Sequence, residues 1–543
     1  MAVKITYRVS GEETVRSATG GSPDFSLEMR EDEGRRTVNL TAKRDLTLLS
    51  YAEDIPPHFS GGRIGKGNIV FLNGYQSWTD SRERHFLRFE KNLLHLPQGL
   101  IDTYSFDRYG DYTFYPYDVR QVHGYDVFYR KGVRNGFILN LNYKKAYLII
   151  EADRRTGLVS VKSDVEGAKV RSGESCTVAD YITYPSYEEG MRDFKRRFPL
   201  RPIEKIFGYT SWYNYYQDIS EEILLRDFEG LDERFNLFQI DDGYETYVGD
   251  WLDVDEEKFP HGLSFIPEMA HARGLKAGIW LAPFVAEAKS RLFREKPEFF
   301  KRDADGLFVK CGSNWSGFYA LDLENPEVRD YIKKCLRHYA DMGFDLFKLD
   351  FLYAANLPSY EGKTRSEAAE AAYDFLREVL SDRLILGCGA TLFNAAGKFD
   401  YMRVGPDVSL SFDDAFYMKF FHRERPSTQI TIQNTIYRSF MDGRFFGNDP
   451  DVFLLRDENI KLTKATRHAL LTINALFGSV LMTSDNVGAY GSAEREELEK
   501  AFELFHEAKF LSFTKKGRKI HIKYELKGKE YSLKYNTAKG VIK

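Results

Sequence analysis

From Ile206 to about Thr483 the chain repeats one pattern, a short apolar run followed by a longer segment whose apolar residues are spaced as on one helix face. That alternation calls for parallel strands, each returned to the sheet by a crossover helix. Strand ends fall at Phe207–Thr210, Leu237–Ile240, Ala277–Leu281, Leu346–Leu349, Leu384–Gly387 and Met402–Gly405, with two more near Arg444–Gly447 and Val480–Thr483. Between them, Ser366–Leu380 aligns Ala369, Tyr373, Leu376 and Leu380 on one stripe. Asn325-Pro326 opens another helix with an N-cap and a proline at N1, and that helix is predicted to bury Val328, Ile332, Cys335 and Tyr339. About eight strands in roughly 290 residues describe a (β/α)8 TIM barrel with long loops. A doubly wound open sheet competes with it, but no glycine fingerprint follows the first strand.

The flanks read differently. Residues 1–195 are predicted as an N-terminal β-sandwich domain, with short segments such as Arg36–Ala42, Asn68–Leu72, Phe137–Tyr143 and Ala146–Glu151. Turn signals at Gly61-Gly62, Arg108-Tyr-Gly and Arg134-Asn-Gly separate them. The barrel then occupies 196–492, and residues 493–543 form a small C-terminal antiparallel β domain. In that last domain Ile520–Tyr524 and Glu530–Tyr535 make a hairpin through Leu526-Lys-Gly-Lys. A net charge of -4 gives no electrostatic case for nucleic acid. Four scattered cysteines, Cys176, Cys311, Cys335 and Cys388, argue against a disulfide framework or a zinc site. With no metal or nucleotide motif, no cofactor is expected. No apolar run approaches membrane-spanning length and the first residues lack a signal-peptide core, so a cytoplasmic protein without a membrane partner is expected. Homo-oligomerisation is left open.

In a barrel, the residues just after each strand face one mouth. Collected that way, the strand ends supply Ser211, Trp212 and Tyr213, then Asp241 and Asp242, then Trp280, Lys348 with Asp350, Cys388, and Arg403 with Asp407. Within GFDLFKLDF (Gly343–Phe351), Lys348 and Asp350 lie on the same side of the strand, where a buried cation and anion must be paired or used. Each feature has a plainer reading: Asp241-Asp242 as a helix N-cap, Cys388 as a small core residue, Arg403 as a partner of a nearby carboxylate. The tryptophans weigh against those readings. Of only five, Trp78, Trp212, Trp251 and Trp280 lie in or near these stretches, and Trp315 precedes the fourth strand, which suggests clustering on one rim. Paired carboxylates, indoles for stacking and no metal cluster point to glycoside cleavage. Lys348 is expected to hold Asp350 ionised as the nucleophile. Asp407 is then the acid, its pKa raised by burial and by the charge of Asp350.

The order FGYTSWYNYY, FQIDDGYE with GDW, GIWLAPF, FKLDFLY, ILGCGA, MRVGPD and FFGNDPD resembles glycoside hydrolase family 36, the microbial α-galactosidases, most strongly over residues 205–455. The resemblance extends to Asn73-Gly-Tyr-Gln-Ser-Trp78. It implies a retaining mechanism on an oligosaccharide substrate, with Asp350 as nucleophile and Asp407 as acid/base. It further implies that Asp241 and Asp242 bind the O4 and O6 region of galactose and that Lys348 and Arg403 contact hydroxyls. Trp212 and Trp280 would wall the subsite with Tyr213 beside them, Trp78 would reach over from the N-terminal domain, and Cys388 would line the pocket near O2. Two departures matter: Thr210 stands where relatives often carry Cys, and Gly389-Ala390-Thr391 stands where they often carry Gly-Ser-Pro. The second leaves an α-N-acetylgalactosaminidase as an alternative; an α-galactosyl transferase, in which a sugar hydroxyl replaces water in the second step, is another.

Overall fold

The computed structural model describes residues 3–56, 62–88, 97–105, 107–108, 120–357, 362–413 and 426–543. The turn expected at Arg108-Tyr-Gly and the first glycine of Gly61-Gly62 fall outside these residues.

At the centre lies a parallel sheet of nine strand segments. In chain order they are Ile206–Thr210 (β1), Leu237–Ile240 (β2), Lys276–Leu281 (β3), Leu346–Leu349 (β4), Leu384–Gly387 (β5), Tyr401–Arg403 (β6), Gly447–Asp449 with Val452–Phe453 (together β7) and Val480–Thr483 (β8). The two pieces of β7 are one strand broken at Pro450-Asp451, where Asp451 takes a φ of 72°. The first piece pairs with β6 and the second with β8, so eight strands close on themselves through this break. Ser479 N–H bonds to Asn448 O at 2.9 Å across the seam. Pairing is parallel throughout and follows chain order, as successive right-handed βα crossovers require.

Local chemistry sets the helices around it. In Pro326–Met342 the Asn325 side chain accepts from Glu327 N–H, and Gly343 ends the helix at φ 113°, a left-handed cap that costs glycine nothing. Its buried face includes Val328, Ile332, Cys335, Leu336 and Tyr339. Arg365–Leu380 starts with a full capping box between Thr364 and Glu367, worth about 1 kcal/mol over an alanine cap. The final helix, Ser492–Glu507, sets Phe502 edge-on to Phe207 of β1 at 5.1 Å. It thus covers the barrel as the helix after β8 and also leads into the C-terminal sheet. A three-stranded insert between β3 and β4 (Val285–Glu287, Lys310–Gly312, Phe318–Ala320) carries Trp315.

Two seven-stranded antiparallel sheets form the N-terminal sandwich, closed over an apolar core that includes Ile5, Leu40, Leu48, Val70, Ile150 and Val161. The hairpin at Arg134-Asn-Gly joins Val127–Lys131 to Gly136–Asn140. At the other end, a four-stranded antiparallel sheet includes the expected hairpin, Lys519–Leu526 paired with Lys529–Asn536. All four cysteines are free thiols. Among the described residues, no helix is long and apolar enough to cross a membrane.

Candidate active site

The floor of the site is a buried ion pair. Lys348, near the end of β4, places Nζ 2.7 Å from Asp241 Oδ2, with side chains only 5% and 2% exposed. Asp241 follows β2 and also accepts from Gln239 Nε2 at 2.8 Å and Thr210 Oγ1 at 3.1 Å, while its own N–H bonds to Ser211 Oγ. Burial pulls the Lys348 pKa down, but the charge of Asp241, helped by Asp350, outweighs it and lifts the ammonium above its ordinary value. Lys348 therefore binds the aspartate of the second strand end, and the direct Lys348–Asp350 pair expected from β4 alone is not what forms. The partner stands at the end of β2, with only β3 between them, and 107 positions away in sequence.

Asp350 is held by other means. Its Oδ2 accepts from Trp280 Nε1 at 3.2 Å and its Oδ1 from Phe351 N–H at 2.7 Å. Phe351 sits at φ 53°, a left-handed conformation rare for an aromatic residue. Its ring is packed between Trp78 (5.4 Å), Trp315 (5.3 Å) and Phe318 (4.9 Å). Burial pushes the Asp350 carboxyl above the usual range, Lys348 opposes this, and the charge of Asp407 adds to it. Lys348 acts on Asp350 in the expected direction, toward the ionised form, but burial is the larger effect and leaves the carboxyl above its ordinary value.

Across the mouth, one guanidinium holds three carboxylates. Arg403, at the end of β6 and 1% exposed, meets Asp407, Asp449 and Asp451 at 2.9 Å each, through Nη1, Nε and Nη2. Asp451 also accepts from Val408 N–H at 2.7 Å and from the Tyr213 hydroxyl. Burial raises the Asp451 carboxyl; Arg403 opposes this, and Asp407 and Asp449 reinforce it. Asp407 is not buried as expected: its side chain is 43% exposed, because Gly405-Pro406 carries it out beyond the strand end toward the opening. Nε and Nη1 of Arg403 donate to Asp449 and Asp407, while Nη2 makes an ion-pair contact with Asp451. Asp449 and Asp451 were missed as site residues, although Asn448-Asp-Pro-Asp451 marks a strand end in the sequence.

The rim is aromatic. Trp78, Trp212 and Trp315 are half-buried, whereas Trp280 is 2% exposed and Trp251 1% exposed. Trp251 therefore lies behind Trp280, its ring 5.8 Å away, as core and not as rim. Trp315, given no role beforehand, donates Nε1–H to Asp242 Oδ2 at 2.9 Å, and Gln217 Nε2 donates to Oδ1 at 3.1 Å. Asp242 is raised by burial, with Asp241 adding to it, while a hydrogen bond from Glu245 lowers it. Glu245, buried beside it, is raised well above its ordinary value by burial and by the charge of Asp242. Trp212 packs edge-on to Tyr216 at 5.1 Å.

The N-terminal domain closes one side. Trp78 Nε1 lies 3.2 Å from Cys388 Sγ, Gly389 N–H bonds to Ser77 Oγ at 2.9 Å, and Ser77 N–H to Ala390 O at 3.0 Å. Gly389 has a φ of 66°, and a Cβ there would lie 3.1 Å from the Trp78 ring. Behind the loop, the buried Arg438 donates to the carbonyls of Ser77, Gln76 and Val404 at 2.5, 3.0 and 2.8 Å. Burial raises the Cys388 thiol well above its ordinary value, so it is a lining group and not a nucleophile. Among the described residues, no group of three or more His, Cys, Asp or Glu side chains is arranged to hold a metal ion.

The chain is similar to known proteins in sequence and in fold. Residues 200–381 match the melibiase family. α-Galactosidase Mel36A of Lactobacillus acidophilus is 27% identical over 210 residues, 35% of this chain and 28% of that one. TtGalA, the α-galactosidase from Thermus thermophilus solved in complex with stachyose, superposes with a TM-score of 0.69 at 26% identity, covering 92% of this chain and 99% of that one. The chain resembles the glycoside hydrolase family 36 α-galactosidases in sequence and shares their fold. An A type blood α-D-galactosamine galactosaminidase from Flavonifractor plautii is also similar, 33% identical over 124 residues, 21% of this chain and 11% of that one. In sequence the chain thus spans 28% or less of the length of these two curated relatives. The melibiase match includes Asp241, Lys348 and Asp350; Arg403, Asp407 and Asp449 lie beyond it.

Proposed function

We propose that this chain is a retaining, exo-acting α-galactosidase that removes terminal α-linked galactose from raffinose- or melibiose-type oligosaccharides. The observation that carries the reading is the contrast between two carboxylates at one barrel mouth. Asp350 is buried and aimed by two N–H donors; Asp407 is solvent-facing and tethered to Arg403. In the first step an Asp350 oxygen attacks the anomeric carbon while Asp407 gives its proton to the departing glycosidic oxygen. This leaves a galactosyl–aspartate ester and the free aglycone alcohol. In the second, Asp407 takes a proton from water, the water oxygen attacks the same carbon, and Asp350 departs as carboxylate.

Asp241 and Asp242 supply acceptors for sugar hydroxyls, and Lys348 has two N–H donors besides the one on Asp241. Buried polar groups of this kind reject a sugar with a misplaced hydroxyl more strongly than an apolar wall does. Galactose is favoured over N-acetylgalactosamine because Trp78 occupies the space over Cys388 and Gly389, the segment the family resemblance puts near C2. The galactosaminidase relative keeps the acetamido sugar as the second reading.

Hydrolysis of 4-nitrophenyl α-galactoside beside the matching α-N-acetylgalactosaminide tests this. The galactoside is expected to be cleaved, with Asp350→Ala and Asp407→Ala both losing that activity. Azide added to Asp350→Ala should yield β-galactosyl azide. Cleavage of the acetamido sugar alone would overturn the specificity, and full activity in Asp350→Ala would overturn the mechanism.

A further inference from the structure

The helix Thr428–Tyr437, between β6 and β7, buries a polar stripe where an apolar one is usual. Thr431, Asn434 and Arg438 are spaced three and four residues apart, share one face and are each 0% exposed. Their side-chain bonds run to two segments that border the proposed site. One is residues 404–407, which lead from β6 to the proposed acid. The Thr431 hydroxyl donates to the Pro406 carbonyl, and Arg438 Nη1 donates to Val404 O at 2.8 Å. One turn earlier, Ser427 N–H donates to Asp407 O at 2.8 Å. Gly405 permits this close approach, since a Cβ there would lie 3.1 Å from Thr431 Cα.

The other segment is the Trp78 loop of the N-terminal domain. Arg438 Nη1 also donates to Ser77 O at 2.5 Å, Nη2 to Gln76 O at 3.0 Å, and Nε to the Asn73 side-chain oxygen at 3.3 Å. Asn434 accepts from Ser81 N–H at 2.7 Å and donates to Thr79 O at 3.0 Å. Burying a guanidinium is costly, and burial brings the Arg438 pKa down to about 9, with Asp80 opposing the shift. What the position gains is geometry. A planar fork of five N–H donors satisfies acceptors from two chain segments in fixed directions, which a flexible ammonium does less well.

We propose that Arg438, with Thr431 and Asn434, is a positioning residue of the glycosidase reaction that locks residues 404–407 and the Trp78 loop into one register. The inference rests on the reading of Asp407 as the acid, and it says how that carboxyl is set against the wall of the sugar subsite. Arg403 tethers the Asp407 side chain, whereas the stripe fixes the backbone that carries it. Because one guanidinium bonds to both Ser77 and Val404, seating the N-terminal domain and placing the acid are a single event. A displacement of about 1 Å in a catalytic group costs on the order of a hundredfold in rate, so a loosened stripe registers first in proton transfer.

The test compares melibiose, whose sugar leaving group needs a proton, with α-galactosyl fluoride, whose fluoride departs with little help from an acid. Thr431→Val exchanges the hydroxyl for a methyl of similar shape. It should lower kcat/KM on melibiose about tenfold or more beyond any loss on the fluoride. Arg438→Lys should show the same selectivity and raise KM for both substrates. It should also speed hydrogen exchange in peptides covering residues 74–81 and 404–408, and not in the strand Lys4–Val9. Thermal unfolding checks that each variant is folded, and Thr431→Val carries the kinetic test by itself if Arg438→Lys is not. Asp407→Ala separates the two readings. Equal loss on both substrates there would overturn the acid assignment and this inference with it. A selective loss in Asp407→Ala beside equal losses in the two stripe variants would overturn the positioning role alone, as would unchanged exchange in folded Arg438→Lys.

Discussion

The two charge clusters at the barrel mouth are built on opposite principles. On the β2–β4 side one cation meets one carboxylate, Lys348 with Asp241, in a closed pair flanked by hydrogen bonds from Gln239 and Thr210. On the β6–β7 side one cation meets three carboxylates, and one of these, Asp407, leaves the core. A matched pair fixes geometry and resists changes in protonation. An overloaded guanidinium fixes geometry and also leaves negative charge that a proton can relieve. In the proposed mechanism, the first side would aim the nucleophile and the second would carry the acid.

The largest effect should come from breaking the overloaded side. Arg403→Met strands Asp449 and Asp451 in the core without a counter-charge, so a loss at or above the ~3–5 kcal/mol typical of a broken buried pair is expected in denaturant unfolding. A loss below about 1 kcal/mol would mean that the carboxylates are neutral in the folded protein. Lys348→Met should cost somewhat less, ~3 kcal/mol, since one carboxylate is orphaned and Gln239 and Thr210 still hold it. The same variant removes the charge that lowers the Asp350 pKa, so the acidic limb of kcat/KM should move to higher pH. An unmoved limb would separate Lys348 from Asp350 electrostatically.

Gly389→Ala probes the N-terminal closure. With a φ of 66° and a Cβ 3.1 Å from Trp78, alanine is expected to cost ~1–2 kcal/mol and to raise KM more than it lowers kcat. Identical kinetics would show that Trp78 does not border the sugar.

The smallest effect is a gain. The folded Asp350 carboxyl is raised above its unfolded value, so the native state binds its proton more readily than the unfolded chain does. The favourable contribution is therefore present below the usual carboxylate range and is lost as pH rises through the folded pKa. Attack requires the ionised form, so activity runs the other way across the same window. Asp350→Asn should accordingly raise the Tm at pH 7, and the gain should shrink at pH 4. A Tm below that of the native protein at pH 7 would contradict the burial argument.

What could be read from the chain follows from how far each interaction reaches. The cap at Asn325, the stripe through Val328, Ile332, Cys335 and Tyr339, and the alternation in GFDLFKLDF are local and legible. So was the collection of charged and indole side chains at strand ends, because a parallel barrel puts all such ends on one face. Partner choice was not legible. Lys348 has carboxylates on both sides, and only barrel curvature sends it to Asp241. Asp407 follows Gly405-Pro406, and nothing in that short segment tells whether it turns in or out. Trp251 and Trp315 each sit in a glycine-containing loop, yet one became core and the other a hydrogen-bond donor to Asp242.

The most direct measurement is a covalent trap. An activated fluorinated α-galactosyl fluoride, which forms the ester quickly and releases it slowly, would be incubated with the full chain and the digest read by mass spectrometry. The account predicts one galactosyl unit on the peptide containing Asp350, absent in Asp350→Ala and retained in Asp407→Ala. A label on any other carboxylate, or turnover with inversion at the anomeric carbon and no label, would contradict it.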